Sequence, residues 1–238
     1  YEMLHVPVKE IVQDASTAKE RIAEGRNVCG IHFTNGDAFA VASVMNCEGK
    51  ELAVRYFKGG KEYTHRCGKV LEKIDKSRKS RGENAGGRVN QKYWMHLKHL
   101  GEQYAHQVSL DIVTFCKEQD VSVIAFPKYD EEYRRHVLKG AGNFGTLHLS
   151  TRIREYLTYK AWKEGILVLD VNAKEMHRIC AVCGSEIAQQ DKQSKRFVCE
   201  EGHQGDTYLN VARNVAKRCM EQFQKKTGKE KNVSAKKS

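Results

Sequence analysis

A short run of cysteines near residue 180 constrains this chain more than any other feature. Cys180 and Cys183 form a Cys-x-x-Cys turn that is followed at once by Gly184. After fifteen intervening residues comes Cys199, and His203 lies four residues further on. Zinc takes four tetrahedral sulfur or nitrogen ligands, and two such turns at this spacing supply them in a ribbon geometry. The sequence therefore predicts a zinc ribbon with a Cys₃His ligand set.

The fourth ligand has a rival, and the motif has a second interpretation. His177 lies three residues before the first cysteine and competes with His203 for the fourth position. A redox-active Cys-x-x-Cys beside an unrelated Cys199 is the alternative, although no thioredoxin-like pattern surrounds it. The segment 177–205 is short and polar, so it has no core of its own and metal binding would order it.

The composition favours a phosphate-rich partner. Among 238 residues, 41 Lys and Arg outweigh 30 Asp and Glu, which gives a net charge of +11 and a pI of about 9.2. A field of that sign attracts nucleic acid, but solvated lysines on an ordinary soluble protein give the same composition. No run of about 18 apolar residues and no signal peptide occur. We expect a cytoplasmic, nucleoid-associated protein with no membrane partner.

Hydrophobic periodicity predicts alternating strands and helices. A helix over 10–26 precedes an antiparallel meander of three strands: 27–33, 38–45 and 51–57. An Asn-Gly turn joins the first two strands. After a basic stretch over 64–98 come a helix, a strand, a loop, a helix and a strand: 101–119, 121–126, 127–147, 149–164 and 166–171. A meander followed by helix–strand crossovers builds a mixed sheet with helices on both faces, so the predicted class is α/β, with the ribonuclease-H-like order and an inserted zinc ribbon.

Three stretches of sequence match one family pattern. Leu157-Thr-Tyr-Lys-Ala161 is followed by Gly165-Ile166, and Gly202-His-Gln-Gly-Asp-Thr-Tyr-Leu-Asn-Val-Ala-Arg-Asn214 follows the cysteines. Upstream lies Cys29-Gly-Ile-His-Phe33. These stretches resemble the TnpB proteins of small insertion sequences and the related compact type V CRISPR effectors. A one-residue deletion removes the fourth cysteine of the family, and this departure points to His203 as its replacement.

The resemblance implies a RuvC-like domain and a division of the chain into five segments. Family members also carry N-terminal domains that hold guide RNA, so we expect the first 26 residues to be the end of a region missing from this chain. The segments are the end of that region, a RuvC-like core, a zinc-ribbon insert, the last RuvC helix and a basic disordered tail: 1–26, 27–176, 177–205, 206–224 and 225–238.

The same resemblance implies that nuclease activity has been lost. RuvC-type nucleases hold two Mg²⁺ ions on carboxylates from the first strand, the fourth strand and the last helix. The matching positions here are His32, Pro127 and Tyr208. None is a carboxylate, so Mg²⁺ binding is not expected. The alternative is that nearby acids have taken over, and the candidates are Asp37, Asp130 and Asp206.

The leading hypothesis is therefore an RNA-guided DNA-binding protein that is catalytically degenerate, with guide RNA and target DNA as partners and Zn²⁺ as its metal. One alternative is an active RNA-guided endonuclease with displaced acids. The other is a transposon relic or a plain zinc-ribbon DNA-binding protein. Basic and aromatic side chains are predicted to contact phosphates and bases: Arg78, Lys79, Arg81, Arg88, Lys92, Trp94, Arg152 and Lys160.

Overall fold

The computed structural model describes residues 14–81, 90–140, 144–191 and 193–234. Its main sheet contains β1 (Asn27–Phe33), β2 (Ala38–Met45), β3 (Glu51–Lys58), β4 (Val121–Lys128) and β5 (Leu167–Asn172). The strand order is β3-β2-β1-β4-β5. The first three strands pair antiparallel, while β4 runs parallel to both β1 and β5. This is the mixed sheet that the sequence predicts.

Helices cover both faces of the sheet. They are α1 (Ala18–Ala23), α2 (Gly60–Arg81), α3 (Gln91–Glu118), α4 (Glu131–Gly140), α5 (Ser150–Lys163) and α6 (Thr207–Ser234). One hydrophobic core joins the sheet to α2, α3 and α5. A second core joins its other face to α1 and α6. No described helix combines the length and the apolar character needed to cross a membrane.

β1 and α6 approach each other closely. Cys29 and Ile31 point into the core of α3 and α5, while Val28 points into the core of α6. Gly30 shares the α6 face, because alternate residues of a strand share a face. A Cβ atom at Gly30 would lie 2.1 Å from the carbonyl oxygen of Ala212. Only glycine therefore lets α6 lie directly on the strand.

A buried arginine fixes the short helix α1. The Thr17 side chain accepts a hydrogen bond from the backbone N–H of Glu20, and Glu20 bonds back to Thr17, so this capping box begins the helix at Ala18. Arg21 is 1% exposed. Its guanidinium donates to the carbonyl oxygens of Ser122 and Gly165. The helix is thereby held against the starts of β4 and β5.

A second, smaller sheet lies between β5 and α6 in the sequence. Its strands are β6 (Ile187–Asp191), β7 (Arg196–Cys199) and β8 (Gln204–Asp206). They pair antiparallel in the order β6-β7-β8. Phe197 is buried beneath the sheet with Cys180 and Cys199. This buried cluster is small, so apolar packing contributes little to the stability of the segment, which agrees with the expectation that metal ligands would order it.

The structure corrects three expectations about the helices. The helix predicted over 10–26 is described only as Ala18–Ala23, and residues 1–13 lie outside the described part. The loop predicted over 127–147 contains α4, whose first turn carries the helix-favouring acids Glu131 and Glu132. The tail expected to be disordered from residue 225 is helical as far as Ser234, because its lysines and glutamate are good helix formers.

Candidate functional site

Two backbone turns bring the predicted metal ligands together. In the first turn, the N–H of Gly184 donates to the carbonyl oxygen of Cys180 at 2.9 Å. In the second, the N–H of His203 donates to the Cys199 sulfur at 3.2 Å. Gly184 and Gly202 have φ angles of +81° and +80°, which favour glycine. Each turn therefore aims its ligands inward because a glycine ends it.

The four ligand atoms of Cys180, Cys183, Cys199 and His203 lie within 4.8 Å of one another. The sulfurs of Cys183 and Cys199 are 3.7 Å apart, and Cys199 Sγ is 3.5 Å from His203 Nδ1. Tetrahedral zinc bonds of about 2.3 Å to sulfur and about 2.0 Å to nitrogen require S···S edges of about 3.8 Å and S···N edges of about 3.6 Å. The cluster fits a metal such as zinc.

Electrostatics around this cluster favour thiolate on two of its cysteines. Desolvation opposes ionisation of Cys199, but hydrogen bonds from Ser185 and His203 lower the pKa of Cys199 to about 6. The hydroxyl and backbone of Ser185 lower the pKa of Cys183. Contacts with Cys199 and Cys183 raise the pKa of His203. A metal would bind the thiolates and displace the imidazole proton.

The structure groups His203, and not its rival His177, with the three cysteines. His177 instead lines a cleft of about 740 Å³ built from residues 128–130, 172–175, 177 and 178. The cleft lies where β4 and β5 end, and its cationic side chains are Lys128, Lys174 and Arg178. No sequence pattern indicates this cleft, because its two walls are more than forty residues apart and meet only when β4 pairs with β5.

The three positions that match the RuvC carboxylates lie on one face of the sheet. Gly30 pairs with Ala125 across β1 and β4. His32 and Pro127 lie two residues beyond that pair, so they share the face that carries α6. Tyr208, in the first turn of α6, places its ring 5.7 Å from the His32 ring. We call His32, Pro127 and Tyr208 the strand-end site.

Aromatic packing makes the strand-end site neutral. The Tyr129 hydroxyl lies 3.5 Å from His32 Nδ1, and the two rings meet edge to face. Desolvation lowers the pKa of His32 to about 4, so the imidazole is uncharged at neutral pH. The Tyr208 hydroxyl donates to the carbonyl oxygen of Asn35 at 3.4 Å. Uncharged imidazole and phenol offer little to Mg²⁺, which prefers anionic oxygen.

The alternative acids are placed differently from one another. Asp206 caps α6 by accepting the N–H of Leu209 at 2.8 Å, and Tyr56 donates a hydrogen bond to it. Asp37 is exposed in the turn between β1 and β2, and Asp130 is exposed at the cleft. Over the described ranges, the Cys₃His cluster is the one group of three or more His, Cys, Asp or Glu ligands that comes together.

The predicted nucleic-acid contacts separate into exposed and occupied side chains. Arg78 lies 5.9 Å from the Trp94 ring, which stacks on Phe144 and is 40% exposed. Lys79 and Lys92 are also exposed, whereas Arg152 is half-buried. The Lys160 ammonium donates to the carbonyl oxygen of His106 and to Ser109 Oγ, both at 2.7 Å. Lys160 therefore serves the packing of α5 on α3.

Two predicted contacts cannot be placed. Arg81 is the last residue of α2, but its side chain lies outside the described part of the chain. Arg88 also lies outside the described residues.

Comparisons with known proteins agree with the fold. Residues 151–215 match the family described as Cas12f1-like, TNB domain. A Cas12f1–sgRNA–target DNA complex aligns with a TM-score of 0.61 and 11% identity, covering 80% of this chain and 49% of that chain. A CRISPR-Cas12f ternary complex aligns with a TM-score of 0.61 and 12% identity, covering 89% of this chain and 41% of that chain. An AacC2c1–sgRNA binary complex aligns with a TM-score of 0.55 and 9% identity, covering 85% of this chain and 40% of that chain.

No curated protein matches the sequence. The chain spans less than half the length of the three solved chains described above. The family match is confined to residues 151–215, and the likeness to the solved Cas12f1, CRISPR-Cas12f and AacC2c1 chains, at 9–12% identity, is a likeness of fold.

Proposed function

We propose that this chain is the RuvC-like half of an RNA-guided DNA-binding protein that does not cut DNA. The partners are a guide RNA and a matched DNA target, as in a Cas12f1–sgRNA–target DNA complex that shares its fold. Base pairing would read the sequence, and the protein would hold the heteroduplex through backbone and shape. The protein would act in the cytoplasm, at the nucleoid.

The observation that carries the proposal is the chemistry of the strand-end site. Its three members are an imidazole, a proline ring and a phenol. His32 and Tyr208 are in ring contact, and His32 is held neutral by desolvation. Phosphodiester cleavage by two metal ions needs several anionic ligands converging on them. Asp206 is already committed to the N-terminus of α6, which speaks against the displaced-acid alternative.

Nucleic-acid binding has separate support. The net charge of +11 favours a phosphate backbone. The cleft beside the strand-end site adds three cationic side chains, Lys128, Lys174 and Arg178, against the two acidic ones of Asp130 and Glu175. Exposed Trp94, with Arg78 over its ring, offers a surface for base stacking. Lys79, Lys92, Arg81, Arg88 and Arg152 would add phosphate contacts. These features need no metal at the strand-end site.

We further propose that Cys180, Cys183, Cys199 and His203 hold Zn²⁺. Thiolate and imidazole ligands in tetrahedral array select zinc over Mg²⁺. When bound, the ion supplies structural cross-linking of the two turns. Nothing in its ligand set leaves an open position for a reacting group, since four protein ligands complete a structural site.

The test uses the full-length protein purified with its own RNA. That RNA is sequenced, a matching duplex is prepared, and binding and cleavage are measured in Mg²⁺ and in Mn²⁺. We expect guide-dependent binding and an intact duplex. Cleavage that is abolished by Asp206→Asn or Asp37→Asn would overturn the proposal in favour of the active endonuclease. Absence of any RNA or DNA binding would overturn it in favour of a relic.

A further inference from the structure

Three polar side chains of α6 form hydrogen bonds with the backbone of the first cysteine turn and of the residues just before it. They are Asn210, Asn214 and Lys217, which lie at i, i+4 and i+7 and therefore form one stripe along the helix. Their targets are main-chain groups between residues 176 and 181. The ligand Cys180 lies within this hydrogen-bonded segment, and Cys183 lies two residues beyond the end of the segment.

Asn210 uses both ends of its amide. Its Oδ1 accepts the N–H of Ala181 at 2.7 Å, and its Nδ2 donates to the carbonyl oxygen of Ile179 at 2.8 Å. The residue is 2% exposed. An amide is the side chain that offers a donor and an acceptor on one rigid group. Aspartate has the same shape but would present an acceptor to the Ile179 carbonyl.

Asn214 and Lys217, on the next two turns of α6, add hydrogen bonds to the same segment. Asn214 Nδ2 donates to the carbonyl oxygens of Met176 and Ile179, both at 2.8 Å. The Lys217 ammonium donates to the carbonyl oxygen of Ala181. The Ala181 residue is thus held at its N–H by one side chain and at its C=O by another. These bonds fix the peptide next to Cys180 relative to the helix axis.

The second cysteine turn reaches the same helix through the chain itself. His203 is followed directly by β8 and then by Thr207, the first residue of α6. The N–H of Thr207 donates to the carbonyl oxygen of Lys195 at 2.8 Å. Tyr208 of the strand-end site comes next. Both cysteine turns therefore connect to the first three turns of α6, one by side chains and one by covalent continuity.

We propose that Asn210 and Asn214 are positioning residues that couple metal binding at the cysteine turns to the placement of the start of α6. The inference rests on the proposed metal site. A bound ion joins the two turns, and the two asparagines transmit that constraint to the helix turn that carries Tyr208. Coupling of this kind is reciprocal, so a helix start that is held in place also raises metal affinity.

The test measures metal affinity of the full chain without nucleic acid. Zn²⁺ is competed against a chelator, and Co²⁺ absorption reports the thiolate ligands. Asn210→Asp and Asn214→Asp should each weaken the metal about tenfold to a hundredfold, the range for residues that orient metal ligands. Asn46→Asp is the matched control, because the Asn46 oxygen accepts the N–H groups of Glu48 and Lys50 and its amide nitrogen makes only an exposed contact of 3.5 Å with Glu48 Oε2.

Two further measurements separate positioning from general destabilisation. Val113→Ala removes buried methyl groups from α3, on the opposite face of the sheet, and should leave metal affinity unchanged. Hydrogen exchange of the wild-type chain needs no variant. Removing the metal should speed exchange of the amides from Leu209 to Ala212 by tenfold or more, if the linkage is at least about 1.4 kcal/mol.

The inference is overturned if both aspartate variants bind metal like wild type, or if Val113→Ala weakens the metal as much as they do. It is also overturned if the wild-type chain binds no metal, or if metal removal leaves exchange in α6 unchanged. A wild-type chain without metal would also overturn the proposed zinc site, whereas the other results leave that site standing. None of these results bears on RNA or DNA binding, so they are distinct from failure of the proposed RNA-guided function.

Discussion

The start of α6 lies between two sites that differ sharply in chemistry. On one side, three sulfurs and an imidazole converge within 4.8 Å, and local hydrogen bonds lower the pKa of Cys199 to about 6. On the other, His32 and Tyr208 pack ring against ring, and desolvation keeps the imidazole neutral. One site favours charge that a metal can bind, while the other consists of packed, uncharged rings. The cysteine cluster therefore suits a metal such as zinc, and the strand-end site offers no charged ligand of its own.

Removing a thiolate from the charged site should have the largest effect. We expect Cys199→Ser to abolish stoichiometric zinc and to unprotect amides across 177–205, because structural zinc contributes about 10–16 kcal/mol of binding energy in small domains. Zinc content by elemental analysis and hydrogen exchange measure the two effects. Cys47→Ser makes the same chemical change at an exposed cysteine outside the cluster and should alter neither.

A second pair of variants tests which histidine is the fourth metal ligand. His203→Ala should weaken zinc about tenfold or more, whereas His177→Ala should leave the zinc affinity unchanged, because His177 lies in the cleft and His203 in the cluster. The reverse ranking in the chelator competition would assign the fourth position to His177.

Introducing negative charge at the strand-end site should have the next largest effect, which is on the affinity for Mn²⁺ or Mg²⁺. The triple variant His32→Asp, Pro127→Glu, Tyr208→Asp places three carboxylates on one face of the sheet, so we expect saturable Mn²⁺ or Mg²⁺ binding by titration calorimetry. The control carries His32→Asn, Pro127→Gln and Tyr208→Asn, which match the shapes without the charge. The acidic triple should bind at least about tenfold more tightly, or about 1.4 kcal/mol. His32→Asp alone should behave like the control, and equal affinity of the two triples would contradict the charge argument.

Much of the fold follows from local sequence. The Asn-Gly turn and the strand-like runs on either side of it predict β1 and β2 at the residues where they occur. Cysteine spacing likewise predicts the cluster, including His203. The segment of α4 was missed because Gly140, Gly142 and Gly145 suggested a loop, while its helix-favouring acids lie at 131 and 132.

What the sequence does not reveal depends on contacts between distant segments. Lys160 resembles a phosphate contact in the sequence, yet its ammonium is taken by α3. Asn210 and Asn214 resemble ordinary polar helix residues until the turn at 176–181 is brought against them. The cleft likewise exists only because β4 and β5 are neighbours.

The neutral state of the strand-end site predicts a pH dependence of intermediate size. The pKa of His32 falls from 6.5 to about 4 on folding. The unfolded chain therefore takes up the proton first, and stability is lost as pH falls from about 6.5 to about 4. The loss attributable to His32 is at most about 3 kcal/mol. Urea unfolding at several pH values should show a shallower pH dependence for His32→Phe than for wild type.

Tyr208→Phe is the control, because it keeps the ring and leaves the imidazole in place. Protonation of the cysteine ligands acts in the same direction in every variant, so only the difference between the two curves reports His32. Parallel curves for His32→Phe and wild type would mean that folding leaves the pKa of His32 unchanged, and desolvation would then not account for a neutral imidazole.

The smallest effect concerns how phosphate would be held beside the strand-end site. If side-chain cations do this, Lys128→Ala combined with Lys174→Ala should lower the slope of log affinity against log salt by about 1.4 to 1.8, since each phosphate contact contributes about 0.7 to 0.9. The slope should not change on adding a chelator of Mg²⁺. Lys160→Met removes a lysine whose ammonium already serves α3, so it should reduce stability and leave the slope unaltered.

Single-stranded DNA binding by the RNA-loaded full-length protein, measured by fluorescence anisotropy across a salt series, compares the three proteins. A slope that falls with Lys160→Met but not with the cleft variant would place the phosphate contacts on the α3–α5 surface. In that case the strand-end site would have lost strand binding together with its carboxylates, and the contrast with the metal site would extend from chemistry to recognition.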